Sequence, residues 1–239
     1  MAMQAAAPEH APAHIALIMD GNRRWAAQHR VPAIEGHRRG VQALDETVQA
    51  ALDLGVRALT VYGFSTDNWQ RGRDEVASLM ELCADFARTR CAALLGRGVR
   101  VRIAGDVGNF SFPARAALAA LERATETNSR LTLNLALNYS GRAEIVRATR
   151  AIARDVAGGR LQLADVDETL FRTRLYSPEL PDPDLLIRTG GDLRISNFLL
   201  YQLAYTELAT LPVLWPDFSA QHFAAALEDF ARRERRFGR

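Results

Sequence analysis

A carboxylate and several anion-binding groups lie within a few positions of each other in HIALIMDGNRRWA, residues 14–26. Asp20 directly follows a short apolar run, and a glycine, an asparagine and two arginines come next. A carboxylate can hold a divalent metal, while amides at a helix start and guanidinium groups bind anions. The pattern predicts a diphosphate site with a metal-binding carboxylate at its edge. On position alone, Asp20 is equally typical of a residue that caps the following helix.

A second group of anion-binding residues lies in IRTGGDLRIS, residues 187–196. Arg188 and Arg194 flank a Gly-Gly turn, and Ser196 follows them. Two planar guanidinium groups, the turn amides and a hydroxyl can converge on one diphosphate. A surface loop with salt bridges is the alternative interpretation, but the turn glycines and the paired arginines favour an anion site.

Aromatic and polar side chains are combined in FSTDNWQR, residues 64–71. The side chains of interest are Phe64, Ser65, Asn68, Trp69 and Arg71. Taken alone, the segment is typical of a capped loop that packs Trp69 into the core. Glu75 follows at a helix start, where an acidic residue stabilises the helix dipole.

The charged residues exclude several kinds of chemistry. The sequence has no lysine, so all 30 of its Lys and Arg positions are arginine, and Schiff-base catalysis and a Walker-type phosphate lysine are excluded. The 28 acidic residues nearly balance them, which gives no electrostatic footprint for nucleic acid.

Cys83 and Cys91 lie roughly 12 Å apart along one predicted helix, too far for a disulfide. We interpret both as core thiols and expect a cytoplasmic protein.

Short apolar runs alternate with stretches of helical periodicity, which predicts an α/β fold with a central, mostly parallel sheet flanked by helices. About six strands are expected, at Ile15 to Met19, Val56 to Phe64, Val99 to Ala104, Leu131 to Asn138, Leu185 to Arg188 and, as a short last strand, near Leu211 to Leu214. The three polar segments all follow strands. Ligands bind at the carboxyl ends of the strands in such sheets, so we expect these segments to face one crevice.

The predicted helices run from about His37 to Leu54, Asp74 to Gly96, Pro113 to Asn128, Arg142 to Val156, Asp167 to Leu175 and Ser219 to Arg235. The second of them carries an apolar stripe that includes Leu79, Met80, Cys83 and Phe86. Such a stripe usually packs in the hydrophobic core.

We expect residues 1–13, which are rich in Ala and Pro, to form a disordered tail, and residues 14–239 to form a single domain. The tail lacks the pattern of a secretory signal, and no apolar run is long enough to span a membrane.

The motifs together resemble the cis-prenyltransferases, the family of undecaprenyl diphosphate synthase. Five blocks carry the resemblance in order: residues 14–26, YGFSTDNWQR at 62–71, LNLALNYSGR at 133–142, IRTGGDLRISNFLLYQLAYTEL at 187–208 and RRERRFG at 232–238. They extend over almost everything after residue 13. The resemblance implies a sheet with an apolar tunnel, and the helix 74–96 is its best candidate wall.

The resemblance implies roles for individual residues. Asp20 binds Mg²⁺ on an allylic diphosphate, together with Glu207, whose sequence context alone is typical of a helix end. Ser65 and Asn68 assist proton removal. The implied substrate-binding residues are Gly21, Asn22, Arg23, Arg24, Trp25, His37, Phe64, Trp69, Arg71, Arg188, Arg194 and Ser196. Arg188, Arg194 and Ser196 form the isopentenyl diphosphate site, and Arg236 with Gly238 reaches the active site of a partner subunit.

The implied activity is Mg²⁺-dependent transfer of the prenyl group of an allylic diphosphate, such as farnesyl diphosphate, onto isopentenyl diphosphate, which releases diphosphate and gives a long Z-polyprenyl diphosphate. A homodimer is implied, with at most peripheral membrane association through the product. A short-chain synthase, an enzyme that makes branched prenyl diphosphates and a non-catalytic partner subunit are the alternatives. Two positions depart from the family pattern. Arg23 stands where many bacterial members have Gly, and Ala33 stands where an arginine is common, so we expect Arg30, Arg38 or Arg39 to supply that charge.

Overall fold

A six-stranded sheet lies at the centre of the computed structural model, which describes residues 12–233. Its strands are β1 (His14–Ile18), β2 (Ala58–Ser65), β3 (Val99–Ala104), β4 (Leu131–Tyr139), β5 (Leu185–Arg188) and β6 (Glu207–Thr210). Every neighbouring pair is parallel, in the order β3-β4-β2-β1-β5-β6. The predicted parallel sheet is confirmed. Of the predicted tail, only Pro12 and Ala13 belong to the described residues.

The last strand differs from the prediction. β6 pairs with β5 from Glu207 to Thr210, whereas we expected a strand near Leu211 to Leu214. The amide of Leu211 still bonds to Arg188, 2.8 Å away, but Pro212 has no amide to offer. The segment after β5 also bends at Gly190, whose φ of 84° is a left-handed conformation, so that its amide bonds to Val213 O at 2.8 Å outside the regular ladder. The ladder therefore ends at Thr210.

Seven helices surround the sheet within residues 12–233. They are α1 (Asn22–Gln28), α2 (Ala33–Asp53), α3 (Arg73–Gly96), α4 (Phe112–Thr125), α5 (Gly141–Ala157), α6 (Glu168–Arg172) and α7 (Ala220–Ala231). α2 begins four residues before the predicted start, directly after Pro32, whose fixed φ suits a helix entry. α6 is shorter than predicted because the amides of Arg174 and Leu175 bond to carbonyls only three residues back, which ends the α-helical pattern. α7 ends at Ala231 and not at Arg235.

The two faces of the sheet are covered by different apolar clusters. Along β1, alternate residues point to opposite faces, and all five are buried. Ile15 and Leu17 pack in the larger cluster with side chains of α2, α3, α4 and α7, which we call the helical face. Ala16 and Ile18 pack in the smaller cluster with Phe198, which we call the Phe198 face.

Two glycines bring α1 unusually close to α2. A Cβ at Gly36 would lie 2.1 Å from the backbone oxygen of Asn22, and a Cβ at Gly40 would lie 2.4 Å from its side-chain oxygen. No larger residue fits there unless the helices separate. The contact places Asn22 beside His37, which lies between the two glycines on α2.

No helix among residues 12–233 is long and apolar enough to cross a membrane. Cys83 and Cys91 are both free, and burial raises the pKa of the Cys83 thiol to about 12. Cys83 therefore stays protonated at neutral pH, which is expected of a core thiol.

Candidate active site

Asp20 is held in place by three segments at the carboxyl end of the sheet. Its amide donates to Ile18 O and Thr189 Oγ1, both 3.0 Å away, and its carbonyl accepts bonds from Thr189 Oγ1 at 2.7 Å and Trp215 N at 2.9 Å. Gly21 follows with φ 119°, and a Cβ there would meet Leu214 at 3.0 Å. The turn is thus fixed by close packing as well as by hydrogen bonds.

The Asp20 carboxylate lies between two arginines and does not cap α1. Arg188 Nη2 lies 2.7 Å from Oδ2, and Arg24 Nη2 lies 3.2 Å from Oδ1. The N-cap of α1 is Gly21, and no side chain caps that helix. Burial raises the pKa of the Asp20 carboxyl, but the hydrogen bond and charge of Arg188 and the charge of Arg24 outweigh it, so the pKa is lowered. Asp20 is therefore an ionised ligand at neutral pH.

Arg188 is the buried centre of the second predicted anion site. Its side chain is 5% exposed and donates to Ser196 Oγ at 2.8 Å, to Asp20 and to the carbonyl of Arg194. It also lies 3.3 Å from Asp192, a residue that the sequence reasoning missed. A buried guanidinium needs such compensation, because burying an unpaired charge is costly.

Arg194 remains accessible on the outer side of this site. Its side chain is 63% exposed and pairs with Asp192 Oδ2 at 2.6 Å. Asp192 thus neutralises both arginines that we predicted to bind isopentenyl diphosphate. An incoming diphosphate would compete with this carboxylate for the guanidinium groups.

The two predicted anion sites are joined at Gly190. Arg24 Nη1 donates to the Gly190 carbonyl at 2.7 Å, and a Cβ at Gly190 would lie 2.2 Å from Arg24 Nη2. Asp20 pairs with Arg24 of the first predicted anion site and with Arg188 of the second, so one carboxylate contacts both sites. This adjacency is what a reaction between two diphosphate substrates requires.

A pocket of about 110 Å³ opens above Asp20. Its lining residues are Met19, Asp20, Gly21, Asn22, Arg23, Arg24, His37 and Arg71. Most of the predicted allylic diphosphate residues are therefore together. Trp25 is not among them, because its indole donates to Asp217 at 2.8 Å and stacks on His29.

Glu75 is the acidic group at the mouth of this pocket. It lies 3.0 Å from Arg71, 3.9 Å from Arg23 and 4.0 Å from His37. Burial and the charge of Arg71 lower the pKa of His37 to about 4. His37 is therefore neutral at physiological pH, and its buried Nε2 has no hydrogen-bond partner among residues 12–233.

The expected substitute for the arginine missing at Ala33 is not found. Arg38 pairs with Glu35, and Arg39 lies 3.4 Å from Glu46, so both are engaged on the surface of α2. Neither they nor Arg30 line the pocket. Arg23 and Arg71 bring the positive charge instead.

An apolar cavity of about 100 Å³ continues inward from the anion pocket. The two share Met19, Asn22 and His37. The cavity is otherwise lined by Gly40, Val41, Leu44, Val61, Gly63, Phe64, Leu79, Leu82, Cys83, Phe86, Leu118, Leu135, Leu137 and Trp215. Met80, which we expected on its wall, is not among these residues, and Leu82 and the α2 residues were missed.

Thr66–Gln70 form a short 3₁₀ helix, with Ser65 at its N-cap. Ser65 Oγ accepts from the amide of Asp67, and Asn68 Oδ1 accepts from the amide of Ser65, both at 3.1 Å. Trp69 donates to Asn138 at 2.8 Å and packs edge-on against Phe64. The loop thus stands beside the cavity with its polar groups satisfied mainly by near neighbours.

Glu207 is not brought to Asp20 within one chain. It begins β6 in register with Leu185 and Ile15, at the opposite end of the sheet, and pairs with Arg233 at 3.0 Å. Its metal-binding role stays a prediction. Arg236 and Gly238 lie outside the described residues.

The donor set at Asp20 fits Mg²⁺. The carboxylate is ionised and stands at the pocket, and magnesium prefers one or two carboxylates together with phosphate oxygens. Within residues 12–233 there is no group of three or more His, Cys, Asp and Glu residues that could hold a metal by itself. The geometry therefore suits a metal that is bound jointly with a diphosphate.

Comparison with known proteins gives similarities along nearly the whole chain. Residues 18–238 match the sequence profile of a family described as putative undecaprenyl diphosphate synthase. The ditrans,polycis-undecaprenyl-diphosphate synthase ((2E,6E)-farnesyl-diphosphate specific) of Xanthomonas axonopodis pv. citri is 52% identical over 227 residues, which cover 95% of this chain and 88% of that protein.

Two solved structures extend the comparison to the fold. Lavandulyl diphosphate synthase from Lavandula x intermedia, in complex with dimethylallyl diphosphate, has a TM-score of 0.93 and 36% identity, and the alignment covers 96% of this chain and 99% of that one. A probable undecaprenyl diphosphate synthase from Campylobacter jejuni has a TM-score of 0.79 and 29% identity, with 96% and 100% coverage.

Proposed function

The chain belongs to the undecaprenyl diphosphate synthase family of cis-prenyltransferases, and we propose that it elongates farnesyl diphosphate with isopentenyl diphosphate to a long Z-polyprenyl diphosphate. The observation that carries the proposal is the continuity of the Asp20 pocket with an apolar cavity. A charged head and an isoprenoid tail need these two environments side by side.

The anion pocket holds the allylic diphosphate. Arg24, Arg23 and Arg71 supply positive charge, and the turn at Gly21 leads into the first amides of α1. Asp20 would hold Mg²⁺ jointly with the diphosphate, and the metal, when bound, would neutralise charge on the leaving group. These fixed groups stabilise the charge that develops as the C1–O bond breaks.

Arg188, Arg194 and Ser196 hold isopentenyl diphosphate beside it. Arg188 and Ser196 are already bonded to each other, while the exposed Arg194 exchanges Asp192 for the substrate. C4 of the isopentenyl unit then bonds to C1 of the allylic substrate, whose diphosphate departs. Loss of a C2 proton, assisted by Ser65 and Asn68, leaves the new cis double bond.

The apolar cavity receives the growing tail. α2 contributes Val41 and Leu44, α3 contributes Leu82 and Cys83, and Gly63 leaves room at the sheet. The walls are apolar except near Asn22 and His37, where the cavity joins the anion pocket. A tail can therefore lengthen inward while its diphosphate stays at Asp20.

The similarity to relatives also supports a homodimer in the cytoplasm, in which residues 236 and 238 of one subunit complete the other's site. β6 is the edge strand of the sheet, and its residue Leu208 is exposed there. Deletion of residues 234–239 is expected to lower turnover without loss of the fold.

A product-sizing assay tests the proposed function. The purified full chain is incubated with Mg²⁺, farnesyl diphosphate and labelled isopentenyl diphosphate, and extracted products are sized. A series ending in long Z-polyprenyl products is expected. Products of one or two condensations would make it a short-chain synthase, branched products would assign it to the lavandulyl type, and no turnover would favour a non-catalytic partner subunit.

A further inference from the structure

Tyr62 is a largely buried side chain between the two halves of the proposed site. In the sheet register, Tyr62 of β2, Ile18 of β1 and Arg188 of β5 lie side by side. Parallel strands in register direct such neighbours to the same face of the sheet. Tyr62 accordingly packs on the Phe198 face, and only β1 lies between its strand and the strand of Arg188.

The ring of Tyr62 is fixed by two aromatic neighbours. It stacks on Phe198 with centroids 4.4 Å apart and an interplanar angle of 10°, and it meets Tyr139 edge-on at 6.0 Å. Phe198 lies two residues after Ser196 in the same loop. The stack thus ties β2 directly to the segment that holds isopentenyl diphosphate.

The hydroxyl of Tyr62 joins Ser65 to Ser196. It points to the carbonyls of Tyr139 at 3.3 Å and Ser196 at 3.5 Å, and its interaction with the Ser65 side chain lowers the pKa of the phenol. A phenol has one proton, which goes to a carbonyl here. The Ser65 hydroxyl must therefore donate its own proton to the phenol oxygen.

The phenol is a donor at neutral pH and not a base. Burial raises the pKa of Tyr62 to about 12, although the bond from Ser65 lowers it. Ser196 has a φ of 47°, which is uncommon for a residue with a side chain and needs support from its surroundings. Ser65 in turn accepts from the Asp67 amide, so the bond to Tyr62 completes the fixing of its hydroxyl.

We propose that Tyr62 is a positioning residue of the condensation: its hydroxyl orients Ser65 for proton removal and holds the Ser196 backbone under isopentenyl diphosphate. The inference rests on the proposed function and adds to it a physical link between the two groups. Tyr62 acts through Ser65 and Ser196 and takes no proton itself.

The Tyr62→Phe variant keeps the ring stack and removes only the hydroxyl. We expect kcat to fall about tenfold, since a lost hydrogen bond of ordinary strength corresponds to that factor. KM for farnesyl diphosphate should stay within about twofold, because the allylic pocket does not touch Tyr62. The melting temperature should change little, because the hydroxyl bonds to the carbonyls are long.

Tyr139→Phe is the matched control in the same aromatic cluster. Its hydroxyl donates to the buried Glu144 at 2.5 Å, away from the site. We expect this variant to lose more thermal stability than Tyr62→Phe and to keep kcat within about twofold. Equal losses of kcat in both variants would assign Tyr62 a merely structural role and overturn the proposal.

A double-mutant cycle with Ser65→Ala tests the link itself. If Tyr62 acts through Ser65, adding Tyr62→Phe to Ser65→Ala should lower kcat by much less than tenfold. Independent, multiplying losses would overturn the proposal, as would a Tyr62→Phe enzyme within twofold of the wild-type kcat. Wild-type turnover with an unaffected variant refutes this inference alone, whereas a wild-type chain that does not turn over refutes the proposed function as well.

Discussion

Asp20 is fixed by a partner 169 positions away in the chain, whereas Ser65 and Asn68 are fixed by each other. Thr189 bonds to both the amide and the carbonyl of Asp20, and Arg188 bonds to its carboxylate. On the opposite side of the pocket, most bonds of residues 65–75 span two to four positions. The wall that contains Asp20 and Arg188 is thus held by long-range contacts, and we call it the fixed wall. The wall formed by residues 66–71 is held mainly by local contacts, and we call it the movable wall.

The difference matches two demands on the site. Charge stabilisation needs groups that are already in place before the C1–O bond breaks. Entry of a substrate and release of a long product need a wall that can move without unfolding the sheet, as loops do in many enzymes. Apart from the bond of Trp69 to Asn138 and its edge-on contact with Phe110, moving residues 66–71 breaks few distant contacts.

Asp20→Ala removes the central carboxylate of the fixed wall. We expect kcat to fall by 10²- to 10³-fold or more, because one strong electrostatic contributor is lost. Chelation of Mg²⁺ by EDTA should abolish wild-type turnover, and added Mg²⁺ should restore it. Turnover of the variant is measured with saturating substrates, beside circular dichroism to check the fold.

Asp217→Ala is the control for this first prediction. Asp217 accepts a hydrogen bond from Trp25 and is not in the pocket lining, so the variant should keep turnover within about threefold. An Asp20→Ala enzyme within tenfold of the wild-type kcat would contradict the metal-binding role.

Arg194→Lys tests the assignment of the isopentenyl diphosphate site to the segment that contains Arg188 and Arg194. A lysine keeps the charge but cannot reproduce the planar fork of the guanidinium group. We expect KM for isopentenyl diphosphate to rise about tenfold, with a smaller change for farnesyl diphosphate. Arg172→Lys, which changes an arginine paired with Asp182, is the control. A larger effect on farnesyl diphosphate would reverse the two substrate sites.

Cys83→Trp fills the cavity beside the movable wall. Packed interiors resist added volume, so a tail that enters here must stop earlier. We expect a shorter product distribution with a nearly unchanged first condensation, measured by sizing labelled products. Cys91→Trp is the control, because Cys91 lies on the same helix outside the cavity lining. An unchanged distribution from folded Cys83→Trp would exclude this face from the tail's path.

The residues of the fixed wall could be predicted from sequence, but several residues around them could not. Asp20 and Arg188 each end an apolar strand, and parallel strands bring such ends together, so their proximity follows from the pattern. Asp192 was missed because nothing in a Gly-Gly turn indicates which way the following carboxylate points. The α2 wall was missed because Gly36 and Gly40 reveal their role only when Asn22 is seen against them.

Some errors have one physical origin, which is that sequence patterns are local. The strand expected near Leu211 to Leu214 is not formed because the neighbouring segment bends at Gly190, and the Gly190 amide bonds to Val213 outside the regular ladder. Trp25 follows the predicted anion motif directly but turns to Asp217 on the other side of α1. Long-range geometry decided both.

The protonation of His37 links the environment at the mouth of the pocket to the free energy of unfolding. Arg71, Glu75 and Arg23 face it, and its folded pKa of about 4 lies below the ordinary 6.5. As pH falls from about 6.5 to 4, the unfolded chain gains a proton that the folded chain refuses, so the fold is destabilised. Between pH 7 and pH 5 this amounts to about 2 kcal/mol of unfolding free energy.

His37→Gln removes that titration and should flatten the acid side of the stability profile. Between pH 7 and pH 5, we expect its melting temperature to fall about 4 to 8 °C less than that of the wild type, measured by calorimetry. His14, whose pKa burial also lowers, remains in both proteins and cancels. If His37→Gln and wild type lost stability in parallel, His37 would already be solvated in the free enzyme, and the mouth of the pocket would stand open.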